Sequence, residues 1–242
     1  MNTVLNPTIA AITWRAMVGR RRALLLLALP AVLLLFAIVL RATGVSDAEV
    51  SEGVLGAFAL GTLVPLLGLI IGTGVISPEI DDGSIVYVLA KPLSRPTIVL
   101  TKLIVATACI AVFAALPTLI AGLIMAGNDQ GLAVSYGIGT LIGGIAYCAV
   151  FILLGVVTKH AAVAGLIYAL IWETLIGGYV PGARTLSIQQ WAVSLTSALA
   201  ADGAVTANVR LGVSVTLLVV VTVAATVYAG QRLRSLTLTD QE

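Results

Sequence analysis

The sequence predicts an all-α integral membrane protein with six transmembrane helices and both termini in the cytoplasm. Three observations predict it: long apolar blocks recur, charge is scarce, and the basic residues collect on one side of the crossings. Of 242 residues, 60% are hydrophobic and 10% are charged, and the mean hydropathy is +1.11. A soluble domain carries about 25% charged residues, so this chain has too few to coat a water-facing surface. Apolar runs of about 18 residues or more read as membrane spans. Lipid forces such runs into helices, because it offers no partner to backbone N–H and C=O groups.

Six runs qualify: Ala23–Leu40, Val54–Ile76, Leu103–Ala126, Leu132–Val157, Ala161–Val180 and Leu211–Gln231. At about 1.5 Å per residue each reaches across a hydrocarbon core of about 30 Å, some with tilt. Arg20, Arg21 and Arg22 precede the first run, as in a signal peptide. That run is nonetheless long enough to span, a long stretch precedes the arginines, and no A-x-A site follows, so it reads as a retained first span. Residues 1–22 mix Ile9, Ile12, Trp14, Met17 and Val18 with Arg15 and the three arginines. That mixture reads as an amphipathic helix on the cytoplasmic interface, with Trp14 at headgroup depth.

Six spans return both termini to one side. Arg15, Arg20, Arg21, Arg22, Lys91, Arg95, Lys102, Lys159, Arg232 and Arg234 fall on that side, against Arg41, Arg184 and Arg210 on the other. The positive-inside rule makes the first side cytoplasmic, and the membrane expected for such a helical multi-pass chain is the inner (plasma) membrane. The outer segment, residues 181–210, contains Ile188, Trp191, Val193, Leu195 and Leu199 among Ser and Gln. It reads as carrying a short helix that dips into the outer leaflet. No repeat or low-complexity linker divides the chain, so residues 1–242 form one transmembrane domain.

The long cytoplasmic loop, residues 77–102, carries the most information. Ser77 suits a helix cap and Pro78 the first helical position, and Glu79, Asp81 and Asp82 favour the positive end of a helix dipole. Gly83 redirects the chain, and Lys91 before Pro92 stops a helix. Between them lie Ile85, Val86, Tyr87, Val88 and Leu89, too apolar to stand alone in water. This short element docks on the rest of the protein or on a partner.

The segment I-S-P-E-I-D-D-G-S-I-V-Y-V-L-A-K-P-L-S-R resembles the motif of ABC-2-type transporter permeases, roughly I-S-x-E-x-x-x-G-T-x-x-x-L-L-x-x-P-x-S-R. Ile76, Ser77, Glu79, Gly83, Leu89, Pro92, Ser94 and Arg95 match, and Ser84 replaces the commoner Thr. The motif covers about twenty residues; the architecture matches over nearly the whole chain. The resemblance implies a permease subunit of an ATP-driven exporter. It would pair with a second permease, identical or paralogous, and bind two copies of a cytoplasmic ABC ATPase. Ser84 to Ala90 would be the coupling helix, placed between spans two and three, that sits in a cleft on the ATPase. The ATPase-coupling residues would be Glu79, Gly83, Ser84, Ile85, Tyr87, Leu89, Pro92 and Arg95, with Glu79 and Arg95 as polar anchors. The alternative for each charge is a solvated or headgroup-facing side chain.

No G-x-x-x-x-G-K-S/T phosphate loop occurs, so ATP and Mg belong to the partner and the chain itself holds no cofactor and is not an enzyme. No H-E-x-x-H, G-x-S-x-G or metal spacing occurs, and no basic–aromatic patch suggests nucleic acid. Cys109 and Cys148 read as packing thiols, and His160 as an interfacial residue.

Glu173 is the acidic residue well inside a span. Intramembrane carboxylates are costly, and it reads as a substrate-pathway or proton-coupling candidate, or else as a residue nearer the outer interface. Gly68 and Gly72, and Gly139 and Gly143, have close-packing spacing, for internal contacts or for subunit pairing. Pro65 and Pro117 mark kinks or irregular turns. The cargo expected is hydrophobic or amphipathic. The competing functions are a proton-coupled secondary transporter built on Glu173, and a membrane assembly factor without transport, which would not need the loop motif.

Overall fold

The computed structural model describes residues 7–17, 19–81, 95–177 and 182–239. Among them all regular structure is helical. Helix α1 is Pro7–Met17 and α2 is Arg20–Thr43. Helix α3 runs over Ala48–Glu79 and α4 over Pro96–Ala126. Helix α5 is Leu132–Val157, α6 covers residues 161–176, α7 is Ile188–Leu199 and α8 is Leu211–Thr239. Among the described residues five helices (α2, α3, α4, α5 and α8) are long and apolar enough to cross a membrane. The chain is a multi-pass helical membrane protein. The run expected as the fifth span, Ala161–Val180, is described as a shorter apolar helix over Ala161–Glu173, continued by π-helical turns to Ile176.

The long helices divide by burial. More than half of the most apolar stretch of α3 and α5 is buried, 56% and 61%, against 22% for α2 and 17% for α8. Helices α3, α4 and α5 therefore form the core, and α2 and α8 flank it with Leu25, Leu35, Val219 and Val223 facing outward. Close glycine contacts hold the core, as expected where lipid removes the hydrophobic drive for helices to associate. A methyl added at Gly68 would lie 2.7 Å from Tyr147 Cβ, and one at Gly72 2.7 Å from Phe151 Cβ. Both glycines of the second pair face α7: Gly139 meets Thr196, and a methyl at Gly143 would lie 3.0 Å from Ala192 Cβ. Both pairs thus serve contacts inside the subunit.

Pro65 and Pro117 each follow a stretch of π-helix, Leu55–Leu63 and Ala111–Ala115. The backbone N–H of Val64 reaches back five residues to Ala59, and that of Leu116 to Ala111. A proline lacks the N–H for its own bond and crowds the carbonyl four residues earlier, and the wider turn accommodates both defects. Pro30 is also accommodated inside α2. Helix α2 ends at Gly44, whose φ of 72° lets its N–H return to Arg41 and Leu40 carbonyls.

Helix α1 packs on the first half of α4, and Gly230 of α8 lies 3.6 Å from Pro96 at the start of α4, measured from an added methyl. Both ends of the described chain thus meet the bundle where residues 77–102 leave it. Within α1, Thr13 and Met17 are buried, while Ile12 and Trp14 point outward. At the opposite end α7 packs on α5, α8 and the π-helical part of α3. Its buried face is Ile188, Trp191, Ala192, Ser194 and Thr196, and Leu199 is exposed. Small polar residues fill the contact because the glycines of α5 leave room only for short side chains. Cys109 and Cys148 are free and buried, and His160 is exposed on the turn before α6.

Candidate functional site at the two ends of the bundle

At the loop end, α3 breaks at Val75 and Ile76 and resumes as a short helix, Ser77–Asp81. Pro78 sits in its first turn as expected. The Ser77 hydroxyl does not cap it: it is buried without a hydrogen-bond partner, against Gly155 of α5. The break is closed from α4. Lys102 Nζ donates to the Val75 carbonyl at 2.5 Å and to Glu79 Oε1 at 2.6 Å. Lys102 is fully buried, and the Glu79 side chain is 24% exposed.

Lys102 was expected on the cytoplasmic flank of the third span. Helix α4 begins about two turns earlier than Leu103, and this carries the ammonium inside the bundle. A buried ammonium costs several kcal/mol unless it is paired and hydrogen-bonded, and this one has both a carboxylate and a helix-end carbonyl. The pair ties together the two ends of the long loop. Gly83, Ser84, Ile85, Tyr87, Leu89 and Pro92 lie outside the described residues. Arg95 opens the helical stretch leading into α4, and its side chain lies outside them too. Lys102 is the residue that sequence reasoning missed: its separation from Glu79 gives no local signal.

At the other end, Glu173 is fully buried on α6, twelve residues after Ala161. Its two oxygens each receive two donors. Tyr168 O–H donates to Oε1 at 2.8 Å and the Ile188 N–H at 3.0 Å. Ser187 Oγ donates to Oε2 at 2.5 Å and the Gln189 N–H at 3.3 Å. Ser187 Oγ also accepts the Gln190 N–H at 3.2 Å. A helix leaves its first N–H groups without partners. Here Glu173 and Ser187 together take those of Ile188, Gln189 and Gln190. A carboxylate at a helix N-terminus also gains from the helix dipole. Among the described residues no Lys, Arg or His pairs with Glu173.

The rim of this end is polar. Trp191 Nε1 donates to the Thr185 carbonyl at 2.9 Å, and Arg184 Nη1 to Asn208 Oδ1 at 3.1 Å. Ser194 and Ser197 donate to the Val209 and Val205 carbonyls, tying α7 to the strand of chain that leads into α8. Between α5 and α8 the surface carries an open apolar groove of about 530 Å³, lined by residues such as Val150, Leu153, Val221 and Tyr228. Among the described residues no group of three or more His, Cys, Asp or Glu is placed to hold a metal ion.

A scan against known protein families finds no match, and a search of curated proteins finds no relative of this chain.

Proposed function

We propose that this chain is the permease subunit of an ATP-driven exporter of the ABC-2 type, in the inner membrane. The observation that carries the reading is the segment from Ile76 to Arg95, its motif residues and its place between α3 and α4. The Lys102–Glu79 pair supports it, because a loop that transmits force needs its two ends anchored to the bundle. In this reading α6 with the residues after it completes a sixth span, α1 lies on the cytoplasmic interface, and both termini are cytoplasmic. The excess of Lys and Arg on that side agrees.

Residues 84–90 dock in a cleft on a separate ATPase that binds ATP and Mg, two copies serving a pair of permeases. Closure of the ATPase pair pushes the loop, and the Lys102–Glu79 tie passes the push to α3 and α4 together. The cargo is hydrophobic or amphipathic, in keeping with the apolar groove between α5 and α8. Co-expression of the tagged chain with its genomic neighbours, followed by purification in mild detergent, tests the reading. An ATPase should co-purify and Tyr87→Asp should release it. A chain that purifies alone beside an expressed ATPase would refute the assignment.

A further inference from the structure

We infer that the groove between α5 and α8 seats an anionic phospholipid of the bilayer, with one acyl chain in the groove and the headgroup at Gln231 and Arg232. The first observation is the shape and chemistry of the groove. It holds about 530 Å³, within the range of about 300–1,000 Å³ of ordinary ligand clefts. Val150 and Leu153 line it from α5, and Val221 and Ala224 from α8; among the described residues its lining carries no charge. Helix α7 covers this helix pair elsewhere, since it meets α5 at Gly139 and Gly143, before Val150. In a membrane span an apolar concavity of this kind is filled by hydrocarbon. Water would find no partner there, and an empty space would forfeit its contacts.

The second observation is depth. From Val221 to Gln231 the lining follows ten residues of continuous α-helix, or about 15 Å at about 1.5 Å per residue. That is half of a hydrocarbon core of about 30 Å. The groove therefore has the depth of one leaflet. Its polar residue Gln231 lies at the end that faces the bilayer surface, close to where Gly230 meets the start of α4. One chain of a bilayer lipid, anchored by its headgroup, has this same layout.

The third observation is the mouth. Tyr228 and Gln231 line it, and the exposed Arg232 lies one turn beyond Tyr228 on the same face of α8. A phenol and an amide donate to ester and phosphate oxygens, and a guanidinium matches phosphate with two parallel bonds. Tyrosine rings favour headgroup depth, and basic pockets between spans take anionic headgroups. A second copy of the chain fits this face less well. Two copies related by a two-fold axis along the membrane normal bring each residue to the depth of its own counterpart, so Arg232 would meet Arg232. The inference names the chemistry that the groove takes, and it stands whether or not an ATPase drives the chain.

Photolabelling of the full chain in phosphatidylcholine nanodiscs, without any ATPase, tests it. The probe is phosphatidylglycerol with a diazirine in one acyl chain, and adducts are mapped on peptides by mass spectrometry. Adducts should concentrate at residues 150–153 and 221–228, about fivefold above those of the same probe with a choline headgroup. Arg232→Gln should bring the anionic probe down to the level of the choline probe. Ala224→Phe fills the groove from an exposed position and should remove most groove adducts from both probes. Val219→Phe, on an outward position that does not line this groove, should leave them unchanged. Equal labelling of the parent protein by the two probes, or adducts spread evenly over α2, α6 and α8, would overturn the inference, since the lipid there would be ordinary solvent. Groove adducts undiminished in Ala224→Phe, or groove residues crosslinked to a second copy of the chain, would overturn it as well.

Discussion

The two ends of the bundle bury charge in different ways. At the loop end Lys102 is paired with Glu79, and one carbonyl helps. At the α7 end the Glu173 carboxylate meets no cation among the described residues and is held by two hydroxyls and two backbone N–H groups. The first arrangement is brittle, because deleting Glu79 takes from the buried ammonium the carboxylate it pairs with. The second is graded, because each donor carries a share.

The largest effect should follow from breaking the ion pair on one side. Glu79→Ala takes from the buried Lys102 the carboxylate it pairs with, and we expect a loss of about 3–5 kcal/mol, read as a fall in the thermal unfolding midpoint. Glu79→Leu combined with Lys102→Met should recover most of that loss, since it removes both charges and fills the space. If the double variant is as unstable as the single one, the pairing does not explain the stability. Next in size, Gly72→Leu should cost about 1–3 kcal/mol or block folding, because even a methyl there meets Phe151 Cβ at 2.7 Å and the Cys148 carbonyl at 3.1 Å. Gly212→Ala, which meets nothing within 4 Å, is the matched control and should unfold at the parent temperature. Smallest is Ser187→Ala, which removes one donor to Glu173 and the cap on Gln190, for about 1 kcal/mol in the same assay. A Ser187→Ala loss as large as that of Glu79→Ala would erase the contrast between the two ends.

Much of the fold is legible in the sequence, because hydropathy blocks are long and lipid leaves helices as the available form. The α3, α5 and α8 blocks and the helix α7 all appear where the apolar pattern puts them. The fifth run is legible in part: its apolar composition predicts the helix from Ala161, but nothing in its order reveals the π-helical stretch Tyr168–Ile176.

The site is legible only in part. Glu173 stands out because a carboxylate inside an apolar run is costly, yet its partner Ser187 lies fourteen residues away across a connection with no pattern. Lys102 reads as one more basic residue near a span end. Only the early start of α4 at Pro96 reveals that it points into the bundle. Gly68 and Gly72 announce a close contact but not its partner, since spacing fixes the face of a helix and leaves open what packs there. Pro65 and Pro117 announce a kink or an irregular turn, and the π-helical stretches before them follow from the missing N–H.

The most direct test of the account is photo-crosslinking in cells from a reactive residue placed at Tyr87. The account predicts an adduct with a phosphate-loop ATPase, lost when the same probe is moved to Val219 on the outward face of α8. Adducts from position 87 that contain only lipid or this chain, with the ATPase expressed in the same cells, would contradict it.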